Sequence, residues 1–293
     1  MKLRTILSAN RLTLGQAAKI LEIDKSTVSK ICSQTYPNWE QKEEECIQNL
    51  AKKGYNKIVP DQFMVDTDVV VPTRSVDAFV SLADDLSDPE GSQCSSLGMV
   101  IGTAARGKTH TAQWYTNTRH GACYVLFIEG STRVQLLRDI CEALAGVRPI
   151  TFGGCLDFIH ETCAKRHRLI VIDEADKMPV SFLELIRGIN ERCKVPIILS
   201  GEEALKAKVD RVPRLRSRIR NPVVLYEPIG SIDVAAFYAL ACGIEIELET
   251  AESLAKRSGG AWRVLVNDAL ALARIGRASG IATVTPEMIG KLQ

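Results

Sequence analysis

Hydrophobic positions fall into three successive patterns along this chain. The first occupies the N-terminal stretch, where apolar residues recur at helical spacing. Leu14, Ala17, Ala18 and Leu21 mark a helix over Leu14–Ile23, and Val28 and Ile31 mark a second over Lys25–Cys32, with Asp24 placed to cap it. Cys46, Ile47 and Leu50 predict a third, Trp39–Lys53. The second pattern is a series of short unbroken apolar runs. Met99–Ile101, Tyr124–Ile128, Leu169–Ile172, Val195–Leu199 and Val223–Leu225 read as strands buried on both faces. Helices are expected between them at Lys108–Tyr115, Ser131–Leu144, Leu156–Arg166 and Val180–Cys193, and one before them at Thr73–Leu86. Strands alternating with helices predict a parallel α/β sheet. The third pattern begins at Ile229, where the strand signal stops and Ser231–Ala241, Glu247–Ser258, Trp262–Ile275 and Pro286–Leu292 read as helices.

These patterns divide the chain into a small all-α unit (1–55), a Pro- and Asp-containing linker (56–72), an α/β core (73–228) and a helical lid (229–293). The length of 293 residues suits two or three domains, and 46% hydrophobic with 25% charged residues is ordinary globular composition. A net charge of +2 gives no global attraction to nucleic acid, so any such contact must come from a local patch. The nine cysteines are scattered, odd in number and never spaced C-x-x-C, which favours reduced thiols over a disulfide frame or a zinc site. No apolar run approaches the ~18 residues of a membrane span, and the N-terminus lacks a signal-peptide pattern. The expectation is a cytoplasmic protein with no membrane partner.

The first candidate chemistry follows the first strand. Gly102, Thr103, Ala104, Ala105, Arg106, Gly107, Lys108 and Thr109 match the phosphate-binding pattern G-x-x-x-x-G-K-[ST], with His110 next in the ensuing helix. Glycines let the backbone curl so that N–H groups line a phosphate, and the helix N-terminus adds its positive end. Lys108 is the candidate for the β- and γ-phosphates of ATP, and the Thr109 hydroxyl for Mg²⁺. Arg106, where small or apolar residues are more usual, could touch phosphate or a neighbouring molecule. The second candidate is Asp173-Glu174, ending an apolar strand at the edge where α/β sheets bind ligands. Asp173 is expected to hold Mg²⁺ and Glu174 to orient or deprotonate the attacking water. Ser200, ending the fourth strand, is placed to lie beside the γ-phosphate.

Other signals are basic. Lys25, Ser26, Thr27, Ser29 and Lys30 crowd the second helix of a helix-turn-helix pattern and are candidate DNA contacts. Ser131, Thr132 and Arg133 at a helix start, and Lys165 and Arg166 at a helix end, are further candidates, although an N-cap alone explains Ser131 and a solvated helix end the second pair. Residues 205–220 concentrate arginines, and Gly259-Gly260-Ala261-Trp262-Arg263 opens a lid helix with Arg263 able to lean on phosphates.

From about residue 73 to the C-terminus, the order of these motifs resembles the AAA+ ATPases. The resemblance implies a P-loop αβα module with a parallel sheet and helical lid, Ser200 as sensor 1, Arg263 as sensor 2, and Arg218 of Leu215-Arg-Ser-Arg-Ile219 as an arginine finger on a neighbouring subunit's ATP, with Arg214 and Arg216 as alternatives. A helix-turn-helix unit, a linker and a compact module bearing Ile-Asp-Glu-Ala-Asp further resemble the phage Mu B transposition protein family, as do Leu12-Thr-Leu and Ser26-Thr-Val-Ser29. That resemblance implies an ATP hydrolase that binds double-stranded DNA with little sequence preference, assembles as a homo-oligomeric filament or ring, delivers target DNA and activates a partner transposase. A helicase loader or replication initiator shares the nucleotide site, and a nucleotide-binding transcription regulator would use the N-terminal unit alone.

Overall fold

The computed structural model describes residues 12–32, 36–55, 64–88, 97–279 and 283–292, together with Leu3, Ile6, Leu7 and Asn10. They group into two compact units, one of residues 1–69, 234–254 and 266–293, the other of residues 70–233 and 255–265.

In the first unit, α1 (Leu14–Leu21), α2 (Lys25–Cys32) and α3 (Trp39–Lys52) follow the expected spacing. Thr13 starts α1 through a capping box: its Oγ1 accepts the Gln16 N–H at 3.3 Å, and Gln16 Oε1 accepts the Thr13 N–H at 2.9 Å. Ala17, Ala18, Val28, Ile31, Cys46 and Leu50 close on Leu3, Ile6 and Leu7 as one apolar cluster.

The second unit holds the sheet. α4 (Arg74–Ser87) precedes β1 (Leu97–Ile101), α5 (Lys108–Thr118), β2 (Ala122–Leu126), α6 (Arg133–Ala145), α7 (Phe152–Lys165), β3 (Leu169–Asp173), α8 (Val180–Cys193), β4 (Ile197–Gly201), α9 (Glu203–Asp210), α10 (Pro213–Arg216) and β5 (Val224–Leu225). The strands run parallel in the order β2-β3-β4-β1-β5. Period-two alternation sends Met99, Ile101, Ile170, Ile172, Ile197 and Leu199 to one face, under α6, α7 and α8. Val100, Leu169, Val171 and Ile198 face the other side and pack against Phe79, Leu82 and Leu86 of α4 and Tyr115 of α5. Both faces are covered, which is why the strands read as continuous apolar runs.

Several expected boundaries move for local reasons. β1 begins at Leu97, and β2 ends at Leu126, leaving Ile128 exposed beyond the sheet. α6 starts at Arg133 because Thr132, not Ser131, is its N-cap, its hydroxyl accepting the Gln135 N–H at 3.2 Å. α7 starts earlier, at Phe152, because Thr151 caps it and its first turn tolerates Gly153 and Gly154. The arginine-rich stretch is broken by Pro213 into α9 and α10. After β5 come α11 (Ser231–Cys242), α12 (Leu248–Ser258), α13 (Trp262–Ser279) and α14 (Pro286–Ile289). Among the described residues no helix is long and apolar enough to cross a membrane.

Candidate functional site

The site lies at the carboxyl ends of β1, β3 and β4. Residues 102–107 leave β1 and return as α5, with Ala105 at φ 61° and Gly107 at φ 96°. Left-handed residues within such a turn build a concave row of N–H groups. Lys108 is buried, and its Nζ donates to the carbonyls of Gly102 at 2.6 Å and Thr103 at 3.0 Å, so the ammonium lies within the loop. Burial holds its pKa below the ordinary lysine value, against the raising pull of Asp173, Glu202, Glu174 and Asp176.

Asp173 organises the site. Its side chain is 1% exposed, and its oxygens accept from Thr109 Oγ1 at 2.6 Å, Ser200 Oγ at 2.7 Å, Tyr124 Oη at 3.0 Å and the Glu174 N–H at 3.0 Å. The register brings these groups together. β4 pairs with both β1 and β3, so Ser200, the penultimate residue of its strand, comes beside Asp173 and pairs with Val100 of the strand that feeds the P-loop. Sequence reasoning paired Thr109 with Asp173 but missed Tyr124; the available signal was a tyrosine inside an otherwise apolar strand. Ser200 is fully buried with its hydroxyl committed to Asp173.

Glu174 follows with φ 58°, and its carboxylate pairs with Lys177 Nζ at 2.7 Å. That hydrogen bond, ahead of the charge attraction, raises the Lys177 pKa. Asp176 ties the ends of β3 and β4 together, since its Oδ1 accepts the Glu202 N–H at 3.1 Å and Lys208 Nζ donates to its carbonyl oxygen.

The P-loop also meets residues 259–262. Arg106 donates from NH1 to the Gly259 carbonyl at 2.9 Å, and the Trp262 N–H donates to the Ala105 carbonyl at 2.8 Å. Gly260, at φ 73°, has no room for a side chain: a Cβ would lie 2.5 Å from both Arg106 NH1 and Pro228 Cβ. Arg263 is exposed just beyond Trp262.

Thr103, Ala104, Thr109 and His110 are exposed on the P-loop and first turn of α5. Lys25, Ser26, Ser29 and Lys30 are exposed on α2, with Thr27 half-buried. Thr132 and Arg133 are exposed, as are Lys165 and Arg166 at the end of α7. Arg218 lies beyond α10, its NH2 paired with Glu191 Oε1 at 3.0 Å, while Arg216 pairs with Asp210 at 2.9 Å.

The residues fit a magnesium nucleotide. Thr109 and Asp173 offer hard oxygens 2.6 Å apart beside a buried lysine. Among the described residues no group of three His, Cys, Asp or Glu side chains could hold a metal unaided. A divalent ion here would therefore complete its shell with phosphate and water.

Residues 93–209 match the family model described as an AAA domain. The chain is 23% identical over 283 residues to the ATP-dependent target DNA activator B of Escherichia phage Mu, covering 92% of this chain and 86% of that protein. The same figures hold for the protein of that name in Escherichia phage D108. Among solved structures, the Aeropyrum pernix ORC2 protein in its ADPNP-ADP complexes aligns with a TM-score of 0.59 at 16% identity, over 78% of this chain and 70% of that one. The A. pernix ORC1 protein in complex with DNA aligns at 0.56 and 17%, over 78% and 67%. At such identities the structural likeness establishes the fold alone. The chain has the α/β fold of the AAA+ proteins, and its resemblance to the phage Mu B family extends over 92% of its length.

Proposed function

We propose that this protein is an ATP hydrolase that assembles on double-stranded DNA, delivers it as a target and activates a partner transposase. The observation that supports this most directly is Asp173, buried and gripping the P-loop threonine with Glu174 beside it. The names of the phage relatives extend the reading to target DNA.

Bound Mg²⁺·ATP supplies the phosphoanhydride and a cation that withdraws charge from it. Lys108 neutralises the β- and γ-phosphates by exchanging its contacts with the Gly102 and Thr103 carbonyls for phosphate oxygens. Thr109 and Asp173 would hold the metal, with Tyr124 and Ser200 fixing the orientation of the carboxylate. Glu174 takes the proton of the attacking water, after its carboxylate turns from Lys177. Arg263 leans on the phosphates from the first turn of α13, and Arg218 reaches a neighbouring subunit's nucleotide. A finger supplied in trans makes hydrolysis depend on assembly.

The functional division is 1–55 for the N-terminal helices, 73–228 for the nucleotide core and 229–293 for the lid. DNA contacts draw on the exposed basic and hydroxyl groups of α2, of the start of α6 and of the end of α7. Phosphate contacts of this kind give salt-sensitive, sequence-tolerant affinity. Electron microscopy of the protein with random-sequence duplex DNA tests the reading. Filaments with ATP and none with ADP are expected. Closed rings, or no DNA-dependent assembly, would overturn it in favour of a loader or a regulator.

A further inference from the structure

The Arg218–Glu191 pair bears on how a finger in trans is kept in check. Leu215 and Ile219 are buried on either side of Arg218, and the Arg218 N–H donates to the Leu215 carbonyl at 3.0 Å, so its backbone is anchored. The guanidinium is the part that can move. It is half-exposed and paired with Glu191 Oε1 at 3.0 Å. The other oxygen of that carboxylate is held separately by Arg187 NH1 at 2.7 Å, and Arg187 Nε also pairs with Glu184 at 2.8 Å.

We infer that Glu191 is a positioning residue that parks the Arg218 guanidinium on its own subunit until a neighbour's nucleotide takes it over. The inference rests on the reading of Arg218 as the trans finger. The exchange is physically cheap. When Arg218 leaves, Glu191 keeps Arg187, so no carboxylate is stranded without a cation. An ion pair this exposed biases an equilibrium by only about two- to five-fold, whereas a polyphosphate offers several charged oxygens to a planar guanidinium. The pair therefore yields to assembled nucleotide and holds against water alone. Arg216 differs, because its partner Asp210 has no second cation within ion-pair reach among the described residues.

The test measures ATP turnover per subunit against protein concentration, on random-sequence duplex DNA, for the full chain and the variants Glu191→Gln, Glu184→Gln and Arg218→Ala. Glu191→Gln frees the guanidinium and is expected to lower the concentration at half-maximal turnover about two- to five-fold. Glu184→Gln removes a nearby negative charge without touching Arg218 and is expected to leave that midpoint in place. An unshifted or raised midpoint in Glu191→Gln, or an equal shift in both variants, overturns the inference while Arg218→Ala stays inactive. Wild-type turnover in Arg218→Ala overturns the finger assignment itself, and the parking role with it. Should Glu191→Gln melt early, Glu191→Asp, one methylene too short to keep the 3.0 Å contact, is expected to give the same shift.

Discussion

Tyr124 on β2 donates its hydroxyl hydrogen to Asp173 Oδ2 on β3 at 3.0 Å, the same oxygen that accepts from Thr109 at 2.6 Å. Leu126, not Tyr124, is the register partner of Asp173, so the phenol spans two residues along the sheet to reach it. Burial, then the charge of Asp173, pushes the Tyr124 pKa upward, which keeps the hydroxyl a donor at any physiological pH. Removing it in Tyr124→Phe should cost about 1–2 kcal/mol of unfolding free energy. It should also raise the Mg²⁺ concentration needed for half-maximal hydrolysis by about ten-fold, as loss of a partner that orients a metal ligand does. Urea unfolding and a Mg²⁺ titration check both numbers; an unchanged Mg²⁺ requirement removes Tyr124 from the metal site.

Glu174→Gln keeps the shape of the side chain and loses its proton-accepting capacity. Nucleotide affinity should persist while single-turnover hydrolysis falls by about 10²–10⁴-fold. If the proposed assembly is released by hydrolysis, filaments of this variant on DNA should outlast those of the parent. Rapid turnover by Glu174→Gln would assign the proton transfer to another group.

Gly260→Ala places a methyl 2.5 Å from Arg106 NH1 and Pro228 Cβ, at a residue whose φ is 73°. Strain and overlap together should destabilise the fold by about 1–3 kcal/mol. Because Gly259 and Trp262 hold the P-loop through Arg106 and Ala105, ATP affinity should fall as well. Thermal unfolding with and without ATP separates the effects, and a stable Gly260→Ala that binds ATP normally would show that this junction does not support the loop.

The buried thiols set an alkaline limit. Burial pushes Cys123 up to about 12, against roughly 8.5 for an unfolded cysteine. A thiol kept neutral by folding contributes stability that is whole below the unfolded value and is lost as pH rises toward the folded one. Between those values each such group steepens the fall by up to about 1.4 kcal/mol per pH unit. Cys123→Ala should therefore show a shallower decline than the parent between pH ~9 and ~10.5. Urea unfolding across that range measures the slope, and parallel declines would mean that Cys123 ionises as easily in the folded protein.

The sequence by itself determined the pieces whose physics is local. The P-loop is a contiguous backbone shape, so Gly102–Thr109 announces it. A strand buried on both faces must be apolar throughout, so β3 and its terminal Asp173-Glu174 are visible without a fold. Helical spacing located α1, α2 and α3 because each buries one stripe. The tertiary structure decided everything that depends on which elements become neighbours. β4 pairs with both β1 and β3, and only that pairing delivers Ser200 to Asp173, 27 positions away. Tyr124 reaches the same carboxylate across 49 positions, and Arg106 reaches Gly259 across 153. Spacing along the chain carries no record of such contacts, because they are chosen by how the two faces of the sheet are covered. The partner of Arg218 is of this kind as well, since the arginine cluster is written in the sequence and its attachment to Glu191 arises only where α8 and the residues after α10 come together.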